Sequence, residues 1–517
     1  MMSCLWLERP GAWRLLGVAG VLALAAFPAT PLLLQVVFAR ESLSLGSNFG
    51  SAVWNSFAVA TTTGVIAFGL GLPAGVLSAL YEFRGRAALL ALAMLPALVP
   101  SFLWAIGWAS LTARIGPAVT ELISGYTGCV IVFLAGAVPL VLIASYVATR
   151  GLSGSQIDAA RLAGGEKAVL RYVSGAAAIP AALAAVLSAV LTLSDPGPGQ
   201  ILGLRTAASE VLTSFYLSAL RDFNLVGRQC AVLAMLVLLL AAPLAYMAAP
   251  RLSAQIMARQ VHGLRRLELR RAAVWLTAGF TCLVAGTVVV PVLGLVLPLL
   301  RATEFPQALG VVGRTSGNTL LYAGGAGAVA TLLGVLLALF VGRSDRLRTI
   351  CLGVCLAMLA LPPALGSLGI VHLAAGAPAW ADPLLRSRGT VCCVLGLRYL
   401  PVAVILAMRA WQSMPVSWVQ AAELHGVSLA LYVRKVVIPS LLPTAAAAMA
   451  LVALLATADV GTVLLLHPPG KASFPLAIFT VMANAPESLV ASLCLAYLGL
   501  AAGLLALMWM LARRKTT

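Results

Sequence analysis

Two aspartates and two asparagines are the side chains of this sequence best placed to do chemistry. Asp195, in TLSDPGPG, and Asp459, in ATADVGTV, each close a long apolar run and stand 264 residues apart. Asn55, in NSFAVATTTG, and Asn318, in NTLLYAGGAG, each open one, 263 residues apart. An ionisable group inside an apolar span costs ~2.5–3.5 kcal/mol on insertion scales, which makes it a functional candidate by default. A carboxylate there could line a pathway and meet a cation. The plainer reading places both aspartates at the outer membrane boundary, solvated or capping the following turn. The asparagines are expected to hydrogen-bond across helices in packing rather than to touch a ligand.

Other chemistry finds little support. The four histidines (His262, His372, His425, His467) are dispersed and no CxxC pair occurs among the nine cysteines, so no metal-ligand cluster is expected. Cys351 and Cys355 share a helix face and Cys392 and Cys393 are adjacent, but a free cysteine in apolar sequence behaves as a small hydrophobe. Nothing suggests a Ser-His-Asp, Cys-His or paired-carboxylate arrangement, and no G-x-x-x-x-G-K-[ST] phosphate loop is present. The chain is therefore not expected to be an enzyme or to bind a cofactor. Trp104 and Trp108, one helical turn apart, read as membrane-interface anchors.

The elements that must position these residues are membrane spans. The chain has 517 residues, 61% hydrophobic and 10% charged, where a soluble domain is about a quarter charged. Hydropathy suggests twelve spans, near 13–38, 53–80, 87–112, 127–149, 173–194, 228–249, 272–300, 317–342, 349–375, 390–408, 437–458 and 488–511. The first is too long for a signal-peptide core and reads as a retained span. With both termini cytoplasmic, 23 of the 34 Lys and Arg fall on that side and 11 outside. This bias accounts for the net charge of +18 without nucleic acid, for which no basic domain with interleaved aromatics exists. Six arginines between Arg251 and Arg271 mark a basic cytoplasmic linker, 250–271.

The spans repeat. Besides the Asn and Asp pairs, Pro100 and Pro363, Gly164 and Gly426, and Pro180 and Pro443 keep an offset of 262 or 263. The chain is expected to be two tandem six-span halves, 1–249 and 272–517. Six is even, so both halves share one orientation and a pseudo-two-fold axis along the membrane normal.

Each half carries one polar stretch of a different kind. SQIDAARLAG (155–164) and SWVQAAELHG (417–426) align residue for residue. Ser417 with Gln420 fits a capping box, Ser155 with Asp158 is a looser version, and Pro415 adds a helix-start bias. The Ala-Ala pairs continue a helix and the glycines suit a left-handed cap. Each motif thus predicts a cytoplasmic helix of about two turns, a bend, and a second helix entering the membrane. A helix so short needs a docking partner, and alanines let a partner approach closely.

These features resemble the Glu-Ala-Ala loop of ABC-transporter permeases from binding-protein-dependent importers. Gln420, Ala421, Ala422 and Gly426, followed by Pro439 and Pro443, fit the loop; Asp158, Ala159, Ala160 and Gly164 fit less completely, with Pro180 alone behind them. The resemblance implies an all-α polytopic membrane protein, two tandem six-helix halves of the type I ABC-importer permease fold, in a bacterial inner membrane. It implies that the two loops are coupling helices for two copies of a separate ATPase subunit, which would use the ATP. It also implies an outer solute-binding protein docking on the loops around 196–227 and 459–487. The fused double length and the stretch 464–486 are similar to ferric-iron, thiamine and aminoethylphosphonate permeases, ferric iron being the first expectation. The rival class is a 6+6 gradient-driven transporter, which would require ionisable residues in mid-span.

Overall fold

The computed structural model describes residues 12–37, 45–218, 223–257, 267–268, 272–301 and 305–513. The protein is an all-α polytopic membrane protein. Among the described residues ten helices are long and apolar enough to cross a membrane, and two bent helix pairs raise the total to as many as 12. The linker stretches 258–266 and 269–271, with most of its arginines, and the tail after 513 lie outside the described residues. The helix Phe223–Met257 runs on past 249. Backbone pairing then joins Leu267–Glu268 in parallel to Tyr81–Glu82.

The bent pairs are a departure from the straight spans expected at 87–112 and 349–375. Arg86–Leu98 meets Ser101–Ile115 at 102°, and Asp345–Ala360 meets Pro363–Ala375 at 84°. Proline causes both breaks. Val99 before Pro100 takes an extended conformation, as does Leu361 before Pro362, because a residue preceding proline is disfavoured in the helical region. The bend also explains why Trp104, expected at the membrane interface, is only 1% exposed: its helix folds inward and buries it beside Leu103 and Phe133.

The stretches after the two aspartates, expected as long outer loops, fold into short apolar helices instead. Gly197–Leu202 and Ala207–Ser218 follow Asp195; Val460–Leu466 and Phe474–Val481 follow Asp459. Leu476 and Ile478 are fully buried, and Ala207 likewise. Val211 and Leu212 bury with them, whereas Tyr216 and Leu217 near the end of Ala207–Ser218 stay exposed.

The first and seventh spans exchange places. Val18, Val21 and Ala25 pack with Leu337, Val341 and Cys351, far along the chain. Trp13 meets Phe340 edge-on with centroids 5.9 Å apart. Reciprocally, Val288 and Leu295 pack with Phe102, Leu103 and Cys129. Two glycines permit the close crossings. A Cβ on Gly369 would collide with the Pro28 carbonyl oxygen, and a Cβ on Gly107 with that of Pro291. Pro28 and Pro291 are 263 residues apart, and Gly107 and Gly369 are 262 apart.

Candidate functional site

Four interruptions of helix meet at one place: the two proline breaks just described, and the ends of Gly154–Leu193 and Ile438–Thr457. Ser194 Oγ donates to the Ala360 carbonyl at 3.3 Å, and Ser367 Oγ to the Thr462 carbonyl at 3.3 Å. Broken helices free backbone groups that must find partners inside the protein. Serines supply some of these partners, and two aspartates and an arginine supply others.

Asp195 accepts a hydrogen bond from Ser101 Oγ at 2.6 Å and from the Gly197 amide at 2.9 Å. Asp459 accepts from the Thr462 amide at 2.9 Å and from the Tyr399 hydroxyl at 3.4 Å. Both aspartates cap the turn that follows, as the plainer expectation held. Asp459 is buried rather than solvated. Arg398 Nε lies 2.8 Å from Asp459 Oδ2, and Arg398 Nη1 donates to the Leu361 carbonyl at 2.8 Å. Asp195 in turn interacts electrostatically with both Asp459 and Arg398. Arg398 is thus an ionisable residue in mid-span, where almost none was expected. Its signal was a single arginine inside the otherwise apolar LGLRYLPVAVILA.

The asparagines do a different job. Asn55 Nδ2 donates to the Arg205 carbonyl at 3.0 Å, while the Ala207 amide donates to Ser56 Oγ at 2.7 Å. Asn318 Nδ2 donates to the Ala472 carbonyl at 3.3 Å, while the Phe474 amide donates to Thr319 Oγ1 at 2.7 Å. Each Asn-Ser or Asn-Thr pair clamps two alternate residues of the turn ahead of a short buried helix. The hydroxyl beside each asparagine, on Ser56 and Thr319, completes the clamp.

The twin motifs form short helices. The first occupies the start of Gly154–Leu193, which is interrupted at Gly164 and Gly165. Its cap is Ser153, bonded reciprocally with Gln156, rather than Ser155 with Asp158. The left-handed residue is Gly165, at φ 67°, while Gly164 is extended. In the second helix, Val416–Leu424, Pro415 takes the cap position and no side chain caps it. Ser417 therefore lies inside the helix, because the fixed φ of Pro415 starts it two residues earlier. Gly426 has φ 63°, and the Val427 amide donates to the Ala422 carbonyl at 2.9 Å, closing the helix as expected of a glycine there.

The two helices share one exposed apolar position. Leu162 is 91% exposed and Leu424 is 87% exposed. They occupy the same motif position, two residues after the Ala-Ala pair. Asp158 and Gln420 are exposed beside them. Around them the copies differ. In the first, Arg161 pairs with Glu166 at 2.9 Å and Asp158 at 3.5 Å, and Tyr81 donates to Glu166 at 3.1 Å. Burial and the Glu166 carboxylate push the Tyr81 phenol up to about 12, so it stays neutral and donating at ordinary pH. The second lines an open groove of about 820 Å³ with Ala421, Ala422, His425, Tyr432, Lys435 and Pro439. Behind it, Val433–Val437 is a π-helical turn ahead of Pro439.

At the opposite end, Arg114 grips Glu487 through two bonds of 2.6 and 2.9 Å. Ser110 donates to the Glu487 carboxylate and to the Gly294 carbonyl.

Residues 330–517 match the family model of the binding-protein-dependent transport system inner membrane component. The match spans the second motif, Arg398 and Asp459, and it supports an ABC transporter permease, a membrane subunit type that works with an ATPase and a binding protein. No curated protein and no solved structure matches the chain.

Proposed function

We propose that this chain is the complete membrane pathway of an ATP-driven importer, its two tandem six-span halves replacing a permease dimer in a bacterial inner membrane. Two copies of an ATPase dock on the helices at 154–163 and 416–424, and a soluble outer protein delivers the cargo, with ferric iron as first choice. Thiamine and aminoethylphosphonate are the alternatives. The observation that carries this reading is the pair of exposed leucines, Leu162 and Leu424, at one position of two short helices. A single exposed leucine is ordinary, but its recurrence at the same position of both copies is what two equivalent docking surfaces would require. The clamps at Asn55 and Asn318 and the reciprocal glycine contacts support the internal repeat.

The test is co-purification in mild detergent with an ABC ATPase from the same genome. Gly426 has open space around it, and aspartate is among the few side chains that tolerate the left-handed backbone at φ 63°, so Gly426→Asp adds a charge where the partner must seat at little cost to the helix. The ATPase is expected with wild type and not with the variant. Retention by Gly426→Asp at wild-type strength, with normal transport, would sink the assignment. The partly buried Arg398 and the buried Asp459 are what a gradient-driven transporter would need, and cargo uptake without ATP would establish that second reading.

A further inference from the structure

The two short helices differ in what lies behind them, and the sequence offset marks the place. The copies are 262 apart at Gly164 and Gly426 but 263 apart at Pro180 and Pro443, so the second has one residue more between these points. The π-helical turn Val433–Val437 falls in that interval, and its wider hydrogen-bonded ring holds an added residue. The first copy stays α-helical through the corresponding stretch. Packing differs in the same place. Val173 and Ala177 are fully buried against Val76, Leu80 and Tyr81. Val436 and Ser440, 263 positions later, border the open groove of about 820 Å³ instead. By the same offset, Arg343 and Ser344 stand where Leu80 and Tyr81 would cover them, and both are engaged elsewhere. Arg343 donates to the Met414 carbonyl at 2.7 Å, and Ser344 caps the helix Asp345–Ala360.

The groove left open is apolar and basic. Trp418, Leu431 and Tyr432 line it together with Lys435, and no carboxylate is among its described lining residues. Arg434 and Lys435 are exposed, and among the described residues neither side chain has an ion-pair or hydrogen-bond partner. Pro439 and Leu442 follow Lys435 at spacings of four and three, so the groove continues onto one face of its helix. That helix, Leu429–Thr457, is long and apolar enough to cross the membrane, and Ile438 and Leu442 on it are each more than half exposed.

From this geometry we infer that the groove seats an anionic phospholipid, its phosphate on Lys435 and Arg434 and an acyl chain along Ile438 and Leu442. Unpaired cations at the end of a span attract acidic headgroups, and a lysine ammonium binds phosphate as a point charge. A tryptophan such as Trp418 belongs at headgroup level. An acidic segment of the ATPase would match the charge alone. A soluble protein cannot follow the groove below the membrane surface, however, where its apolar wall continues, so the lipid is the occupant that fits the whole of it. The lipid ties the second docking helix to the bilayer, whereas the first is tied within the protein by Tyr81 and Glu166. The inference rests on the importer reading only for the side of the membrane on which the lipid lies; the binding chemistry belongs to this chain alone.

The experiment is titration of phosphatidylglycerol into the delipidated chain in detergent, with the first lipid to bind followed by native mass spectrometry and phosphatidylcholine as the neutral control. Wild type is expected to bind phosphatidylglycerol in preference. Arg434→Gln with Lys435→Gln should weaken that binding by about thirtyfold, the worth of two charges at the membrane surface. Both residues are exposed, so the fold is kept, and an unchanged unfolding temperature checks this. Arg434→Lys with Lys435→Arg should retain binding. Lys167→Gln with Arg171→Gln removes the same charge from the first copy and should change nothing. Equal binding of the two lipids, or equal loss in the two charge-removing variants, would overturn the inference. So would displacement of the lipid by glycerol 3-phosphate at equal concentration, which would make this a site for a soluble anion. If the variant lacking both charges at 434 and 435 loses the ATPase in lipid-free detergent yet keeps phosphatidylglycerol, the groove belongs to the ATPase and the lipid assignment falls. Charge-dependent lipid binding by a chain that retains no ATPase in any form would remove the importer reading and leave this one standing.

Discussion

Arg398 joins two breaks that lie 98 residues apart in sequence, holding the Leu361 carbonyl with Nη1 and the Asp459 carboxylate with Nε, each at 2.8 Å. Ser101 makes the corresponding link elsewhere by donating directly to Asp195. In both cases an aspartate at the end of one helix is tied to the break after a proline. The position 263 residues before Arg398 is Ala135, so the guanidinium has no counterpart there.

Removing Arg398 alone should therefore be severe. Arg398→Gln leaves Asp459 buried without its cation, and breaking a buried pair from one side costs about 3–5 kcal/mol. Thermal unfolding in detergent should show a large drop for Arg398→Gln. The double variant Arg398→Gln with Asp459→Asn should recover much of it, because no charge is left unpaired. Equal losses in the single and double variants would mean that the pair is not what holds the breaks together.

The exposed leucines give a graded prediction. Burial of a leucine side chain is worth about 1.5–3 kcal/mol, or roughly 10- to 100-fold in affinity. Leu424→Ala should weaken ATPase binding by that order without changing the unfolding temperature, and Leu162→Ala should do the same. Titrating the ATPase into detergent-purified variants measures both. The Arg161–Glu166–Tyr81 network stiffens the first copy, so Glu166→Gln should affect binding at that helix and leave the second unaffected.

At Gly426 conformation and docking can be separated. With φ at 63°, a β-branched residue is strained there, whereas asparagine tolerates the left-handed region. Gly426→Val should loosen the helix end, measured as faster amide exchange over 416–427, and Gly426→Asn should not. Both place a side chain in open space, so any loss of ATPase binding common to the two variants reports the surface itself.

What the sequence made legible was periodic or punctuated. Apolar runs located the spans and glycine at 426 located the helix end, but the spans at 87–112 and 349–375 read as straight through prolines that bend them. The caps were less legible, because Ser153 and Pro415 compete with nearby serines and only backbone geometry decides between them. Trp104 misled because a helix folded inward after a 102° bend looks in sequence like one that reaches the interface. Arg398 was hidden for another reason. Its two partners arrive from residues 361 and 459, and no local pattern announces an ion pair closed over such distances.

The exchange of first spans leads to the last prediction. Pro28 presents its carbonyl to Gly369, and Pro291 presents its own to Gly107, so each contact joins a helix to a part of the chain beyond the linker. At either glycine even a methyl group would force the crossing helices apart, since the neighbour is rigid backbone and not a movable side chain. Gly107→Leu and Gly369→Leu should each destabilise the fold by about 1–3 kcal/mol through overpacking. If the crossings are independent, the two losses should add. A shared loss, with the double variant no worse than either single one, would mean that the two exchanged spans seat as one cooperative unit. Unfolding temperatures of the three variants in the same detergent decide between these outcomes, and unchanged stability at both sites would show that the crossings do not bear on the fold.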